Sequence, residues 1–239
     1  LKYAYVAVLA CMWKWYYYAP NTYKQLKLAE LKRAGEPIPA SVDVHAPFTI
    51  TRFLEKGREN IALGYSFGEY ARRVALPYAF LRFCALPAPL LLFSRAAFVA
   101  GVANLLLADV LCNIHTFVII ATNHAGEDLY AFENSVKAKS GSYFMRQVVS
   151  SANFRTGGDL NDFMHGWLNY QIEHHAWPQL SMLSYQKAAP QLKAICDKHG
   201  VPYIQESVFL RLKKTVDIMV GKTSMRKFKP EWEKREDAC

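Results

Sequence analysis

Residues 96–122, AAFVAGVANLLLADVLCNIHTFVIIAT, decide the fold class. At about 1.5 Å of rise per residue, a helix of this length crosses a hydrocarbon layer of about 30 Å with tilt to spare. Asn104, Asp109, Asn113 and His115 interrupt the run. Polar groups at membrane depth are costly and face a protein interior or a site rather than lipid. Asp109 and Asn113 stand one turn apart, a spacing suited to hydrogen bonding within a helix bundle.

Working outward, Val74 to Phe93 is also apolar but carries Pro77, Pro87, Pro89 and Arg82, the marks of a kinked or re-entrant segment as much as of a span. Leu1 to Tyr18 is apolar apart from Lys2 and Lys14, and closes on Trp13, Trp15 and three tyrosines. Such an aromatic belt sits at headgroup level. With no basic leader and no small-residue cleavage site, the run reads as a membrane segment rather than a signal peptide. Pro20 to Arg73 is polar; Tyr23 to Arg33 has helical spacing with a basic face, suited to a membrane surface or to solvent, and Gly35-Glu36-Pro37 ends it.

The 239 residues suffice for one domain of ordinary size, and 52% hydrophobic content with 21% charge excludes a disordered chain and a small secreted scaffold. The formal charge of +9 lies mostly outside the apolar stretches, as in polar parts set against a membrane. No nucleic-acid recognition motif accompanies it, and the apolar segments argue against that partner. Cys11, Cys84, Cys112, Cys196 and Cys239 are scattered without a C-x-x-C, so neither a disulfide framework nor a zinc knuckle is expected.

Beyond Asn123 the chain turns polar. Gly157-Gly158 precede Asp159, which stands where an N-cap opens a helix expected over Leu160 to about Ala176, because Pro178 disfavours helical geometry at Trp177. Gln186 to His199 reads as a second amphipathic helix, stopped by Gly200 and Pro202. The end of the chain, 221–239, reads as a loose basic and mixed-charge tail.

The sharpest chemical signal is Gln171-Ile172-Glu173-His174-His175. On a helix, Gln171, His174 and His175 stand at i, i+3 and i+4 and share about 100° of arc, which suits a metal. Imidazole serves iron, zinc and copper alike, so spacing does not name the ion.

Leu168-Asn169-Tyr170-Gln171-Ile172-Glu173-His174-His175, followed by Trp177-Pro178, resembles the third histidine box of membrane fatty acid desaturases, in the Gln-led form of the front-end group. Thr122-Asn123-His124 resembles the Asn-His step that ends the last membrane helix of that group, and Ala194 to Tyr203 resembles its C-terminal helix and turn. The resemblance covers residues 1–220. It implies an all-α membrane protein, with transmembrane helices among the membrane segments at about 1–18, 75–93 and 96–122 and a helical membrane-peripheral part at 123–220 carrying the metal site. It further implies two iron ions and O2 as co-substrate, with His174 and His175 as direct ligands and His124 as an additional one. Gln171 takes the place of a box histidine, ligating weakly or through water. The implied substrate is a fatty-acyl lipid losing hydrogens from adjacent methylenes, a task for a redox cofactor because such C–H bonds have no acidic proton. Cytochrome b5 or a ferredoxin is the implied electron donor, an acidic carrier that a basic surface would steer. The implied location is integral to a membrane, the endoplasmic reticulum of a eukaryote or the inner membrane of a bacterium.

His165, nine residues before His174, points about 180° away on a continuous helix and reads as a packing group. His115 stands in the same relation to His124 and reads as a packing group or a donor behind a ligand. Asp128 reads as a solvated charge before a carboxylate behind a ligand, and His45 and His199 read as surface residues. No H-x-x-x-H or H-x-x-H-H occurs in the chain. The expectation is the C-terminal part of a longer desaturase whose first two boxes lie upstream, itself inactive and a poor iron binder. For those boxes and His124 to share one side of the membrane, an even number of crossings must separate Leu1 from His124, and Val74 to Phe93 is expected not to span. A histidine-box hydroxylase and a non-catalytic membrane homologue are the alternatives.

Overall fold

The apolar runs are helical in the computed structural model, which describes residues 1–40, 42, 44, 47–54, 63–132 and 134–229. Helix α1 (Lys2–Cys11) leads through a wide π turn at Lys14–Tyr18 into α2 (Ala19–Ala34), which Gly35 closes in the left-handed region at φ 72°. Helices α3 (Phe67–Leu92) and α4 (Arg95–Ile120, continued by a 3₁₀ turn to Asn123) follow. Both are long and apolar enough to cross a membrane, whereas α1 is apolar but shorter.

The segment expected to fall short of a span therefore lies largely within one of the two long helices. Its prolines are absorbed where a missing N–H costs little. Pro77 stands at the start of the turn Leu76–Phe80, just after a π turn at Ala71–Ala75, and Pro89 opens the 3₁₀ turn Ala88–Leu92.

The chain divides into two units, one of Ala7–His115 and one of Leu1–Val6 with Thr116–Cys239. In the first, buried Ala19, Tyr23 and Tyr70 form a core flanked by Trp15, Phe53 and Tyr65. Lys14 partners the polar residues of α4. Its ammonium pairs with Asp109 and donates to the Tyr78 hydroxyl at 2.7 Å, and its backbone N–H donates to Asn113 Oδ1 at 2.9 Å. Asp109 and Asn113 thus both bond to Lys14.

The second unit holds α5 (Gly141–Val149), α6 (Asp159–Met164), α7 (Gln171–Ala176), α8 (Met182–His199) and α9 (Val208–Met219). Among its described residues it also holds four two-residue strands, β1 (Tyr130–Ala131), β2 (Asn153–Phe154), β3 (Gln205–Glu206) and β4 (Arg226–Lys227), paired in parallel as β1 with β4 and β2 with β3. The architecture is mainly helical as expected; the strands are additions too short to leave a pattern in the sequence. Because β4 pairs with β1, the tail expected from 221 onward is anchored at Arg226–Lys227; residues 230–239, Cys239 among them, and His45 lie outside the described residues.

The single helix expected over Leu160 to Ala176 is two. Gly166 and Trp167 both take left-handed geometry at φ 58°, and a 3₁₀ turn at Leu168–Tyr170 restarts the helix as α7. The fully buried Asp162 organises the break: its carboxylate accepts from Asn169 Nδ2 (2.5 Å), Tyr170 OH (3.0 Å) and Gln186 Nε2 (2.5 Å). Burial pushes that carboxyl up, but these donors hold it below the usual range. Helix α7 ends at Ala176 before Pro178, and α8 ends at Gly200 (φ 65°), both as the sequence predicts. Helix α8 starts at Met182, earlier than expected, because the Ser181 side chain caps it. Ile172 of α7 is buried against Val148 of α5 and Leu192 and Cys196 of α8, with Trp177, Val201 and Tyr203 packed on the cluster, so the box helix is held from both sides.

Candidate metal centre

Helix α7 presents Gln171, His174 and His175, and the end of α4 brings His124 to them. Gln171 Nε2 lies 2.8 Å from His175 Nε2 and 3.2 Å from His124 Nε2. The His124 and His175 rings are 4.9 Å apart, and those of His174 and His175 are 5.7 Å apart. His174 Nδ1 lies 3.3 Å from the Tyr185 hydroxyl. Two imidazole nitrogens from separate elements thus point at one small volume beside Gln171, with His174 adjoining. Among the described residues, no group of three or more His, Cys, Asp or Glu side chains is arranged to hold a metal ion.

Burial, with the neighbouring His174 and Arg211 charges, holds His124 down to about 4. Burial, with His124 and His174 beside it, does the same for His175, also to about 4. Both are therefore neutral imidazoles near neutral pH, the form that binds metal. Because both folded values lie below the ordinary 6.5, the unfolded chain binds more protons between about pH 4 and 6.5. Stability is full above that window and falls as pH drops through it, by roughly 3 kcal/mol for each of the two rings. Thermal melts of the metal-free chain at about pH 7 and about pH 5 check this, with a His124→Gln variant expected to show a smaller acid loss.

Glu173 faces the other way. It is fully buried, accepting from Tyr203 OH at 2.7 Å and Asn153 Nδ2 at 2.9 Å. Burial pushes its carboxyl up, against the lowering by these two donors. Burial, together with the Glu173 charge, pushes the Tyr203 phenol up. Asn153 Oδ1 accepts from Ile172 N–H at 2.8 Å, so one asparagine on β2 serves both the first turn of α7 and its buried acid.

The turn bearing His124 is fastened by Arg211 of α9, a guanidinium with no solvent exposure. Its Nη1 donates to both Asp128 oxygens at 2.8 and 2.9 Å, Nε to Thr122 O at 3.3 Å, and Nη2 to Ala125 O at 3.1 Å. Lys214 bridges Asp128 (2.8 Å) and Glu206 (2.7 Å), and Thr215 Oγ1 donates to Ala125 O at 3.0 Å. Asp128 is therefore not the solvated charge that was expected: it stands in a charge cluster behind the His124 turn and, among the described residues, bonds to Arg211 and Lys214 rather than to a histidine. A Cβ at Gly126 would come within 2.5 Å of both Arg211 Nη2 and Asp128 Oδ1. Gly126→Ala is expected to destabilise by about 1–3 kcal/mol in a denaturation series, since the buried ion pair has nowhere to move.

His165 bonds through Nδ1 to the Asn161 carbonyl at 2.7 Å and packs on Phe154, as a packing group should. His115 and His199 are exposed. Sequence reasoning missed Asn153, Tyr185, Tyr203 and Arg211 as supports of the site; nothing in their spacing marks them, because each reaches it from a distant element. Beside His174 lies a cavity of about 250 Å³, whose walls include Trp167, Leu168, Pro178, Leu180 and Met182.

Helix α7 and the end of α4 thus bring His124 and His175 together at Gln171, with the buried Glu173 turned to Asn153 and Tyr203 instead. Residues 11–207 match the fatty acid desaturase family, and the chain belongs to that family. It is 30% identical over 105 residues to the NADPH-dependent stearoyl-CoA 9-desaturase of Mycobacterium tuberculosis, covering 43% of this chain and 24% of that protein. It is 42% identical over 62 residues to a fatty acid desaturase 2-like protein of Mus musculus, covering 26% of this chain and 12% of that protein. With the Delta(8)-fatty-acid desaturase of Euglena gracilis it shares 40% identity over 57 residues, 24% of this chain and 13% of that protein. The matches thus span a quarter or less of these relatives' lengths. No solved structure matches the chain.

Proposed function

We propose that this chain forms part of a membrane-embedded, iron-dependent, front-end fatty-acyl desaturase in which His124, His174 and His175 ligate the metal. The observation that carries this reading is the approach of His124 Nε2 and His175 Nε2 to one point at Gln171, in a chain of the desaturase family. The donors fit part of an iron site: the half-buried, neutral imidazoles of His124 and His175 suit iron, and next to them Asn123 Oδ1 is buried with no hydrogen-bond partner among the described residues. They fall short of a full set for two ions, and the H-x-x-x-H and H-x-x-H-H boxes, absent from these residues, would complete it.

Iron with O2 supplies the oxidising power that unactivated methylenes require. The chain's own residues hold the His124 and His175 imidazoles neutral through burial, fix α7 from beneath through Glu173 and Asn153, and offer a cavity beside His174 whose apolar walls suit a stretch of acyl chain. Helices α3 and α4 span the membrane in this reading, because only 6% and 17% of their most apolar windows are buried, unlike the core helices of a water-soluble fold. Electrons from cytochrome b5 or a ferredoxin would meet a basic protein, steered by its +9 charge.

The test is lipid analysis of a host expressing the intact desaturase that contains this chain. An acyl chain two hydrogens lighter, with the new double bond lost on His175→Ala, is expected. A product one oxygen heavier would replace desaturation by hydroxylation, and an unchanged lipid profile with all boxes intact would point to a non-catalytic homologue.

A further inference from the structure

The hydrogen bonds around the three histidines end on groups that can only accept, and this fixes their direction. Asn123 is fully buried, and its Nδ2 lies 2.8 Å from Leu168 O and 3.3 Å from Ile119 O. Carbonyls do not donate, so the amide nitrogen of Asn123 must face them. The same Nδ2 lies 3.5 Å from Gln171 Oε1, a weak third contact because its two protons serve the nearer carbonyls, and it favours the oxygen of Gln171 over its nitrogen at that place. Gln171 Oε1 is thereby turned to Asn123, and Gln171 Nε2 to His175 (2.8 Å) and His124 (3.2 Å). An amide NH2 donates, so both histidine Nε2 atoms accept and both rings carry their proton on Nδ1.

An equivalent chain reaches His174. Tyr185 OH donates to Trp177 O at 3.3 Å, again a pure acceptor, which leaves the phenol oxygen to accept from His174 Nδ1–H at 3.3 Å. His174 Nε2 is then bare as well. Two separate relays, one from α4 and one from α8, select the same tautomer in all three rings, the tautomer that offers Nε2 to a metal.

We propose that Asn123, acting through Gln171, and Tyr185 are positioning residues that set His124, His175 and His174 in the Nδ1–H tautomer, with Gln171 serving as a hydrogen-bond donor to the ligand nitrogens. This rests on the reading of those histidines as metal ligands and assigns Gln171 a role other than ligation. In this arrangement Gln171 holds the Nε2 lone pairs of His124 and His175 toward each other before metal arrives.

The test is nitrogen NMR of the full chain in detergent, metal-free, with isotope-labelled histidine, which distinguishes bare from protonated ring nitrogens. The parent chain is expected to show bare Nε2 on all three histidines. Asn123→Asp can no longer donate to Gln171 Oε1; its carboxylate draws Gln171 Nε2, turns Oε1 toward the histidines, and converts His124 and His175 to Nε2–H while leaving His174 unchanged. Gln171→Glu is expected to do the same, which keeps the test decisive where the buried Asn123→Asp variant does not fold. Tyr185→Phe is expected to give mixed tautomers at His174 alone. Nε2–H on His124 or His175 in the parent chain, or unchanged tautomers in a folded Gln171→Glu chain, would overturn the proposal, as would an unaffected His174 in Tyr185→Phe. The readout needs neither metal nor turnover, so its failure is separable from failure of the desaturase reading, which the lipid analysis decides.

Discussion

Replacing Arg211 with methionine is expected to destabilise the second unit by about 3–5 kcal/mol, the range for removing one partner from a buried ion pair. The side chain is fully buried, and its loss leaves Asp128 and Glu206 with Lys214 as the remaining cation among the described residues. It also removes the Arg211 donors to the Thr122 and Ala125 carbonyls, the backbone on either side of His124. Methionine fills much of the volume, so the loss is electrostatic rather than a cavity effect. Arg211→Lys restores charge but not a planar fork able to reach a carboxylate and two carbonyls together, so it should recover only part of the stability. Denaturant unfolding in detergent reads the difference, and hydrogen exchange over 122–128 localises it. A loss below about 1 kcal/mol, within the range of an exposed pair, would contradict the role assigned to the cluster.

Asn153→Leu is expected to cost about 3 kcal/mol. Ile172 N–H loses its acceptor at the start of α7, Glu173 Oε2 loses its donor, and the Tyr203 hydroxyl loses a 2.6 Å neighbour. Each buried polar group left unpaired costs roughly 1–3 kcal/mol, and leucine offers no compensating bond. Tyr203→Phe removes one donor to the same acid and should cost less, about 1–2 kcal/mol, because Asn153 still serves it. The two losses should not add, since both residues share Glu173. Additive losses in a double-mutant cycle would show that the three groups do not act as one network.

Part of this arrangement was legible in the sequence. The i, i+3, i+4 spacing of Gln171, His174 and His175 survives as one face of α7, and Pro178 and Gly200 end their helices where local chemistry predicts. The break at Gly166–Trp167 was not legible, because the apolar and polar spacing across it fits one helix. What breaks it is Asp162, whose buried carboxylate collects donors from Asn169, Tyr170 and the distant Gln186. Arg211 likewise reads as an ordinary basic residue of an amphipathic helix, and only the approach of α9 to the His124 turn makes it a buried clamp. The prolines of α3 do not end it: local turns at Ala71–Ala75 and Ala88–Leu92 let an apolar helix continue past them, which no pattern in the sequence marks.

Iron bound per protein, measured on the intact desaturase containing this chain and on its His124→Ala and His175→Ala variants, tests the central claim most directly. The account predicts two iron ions in the parent protein and loss of iron in both variants, with the fold retained. Full iron content in His124→Ala or in His175→Ala would contradict it, because those two nitrogens would then meet at Gln171 without serving the metal.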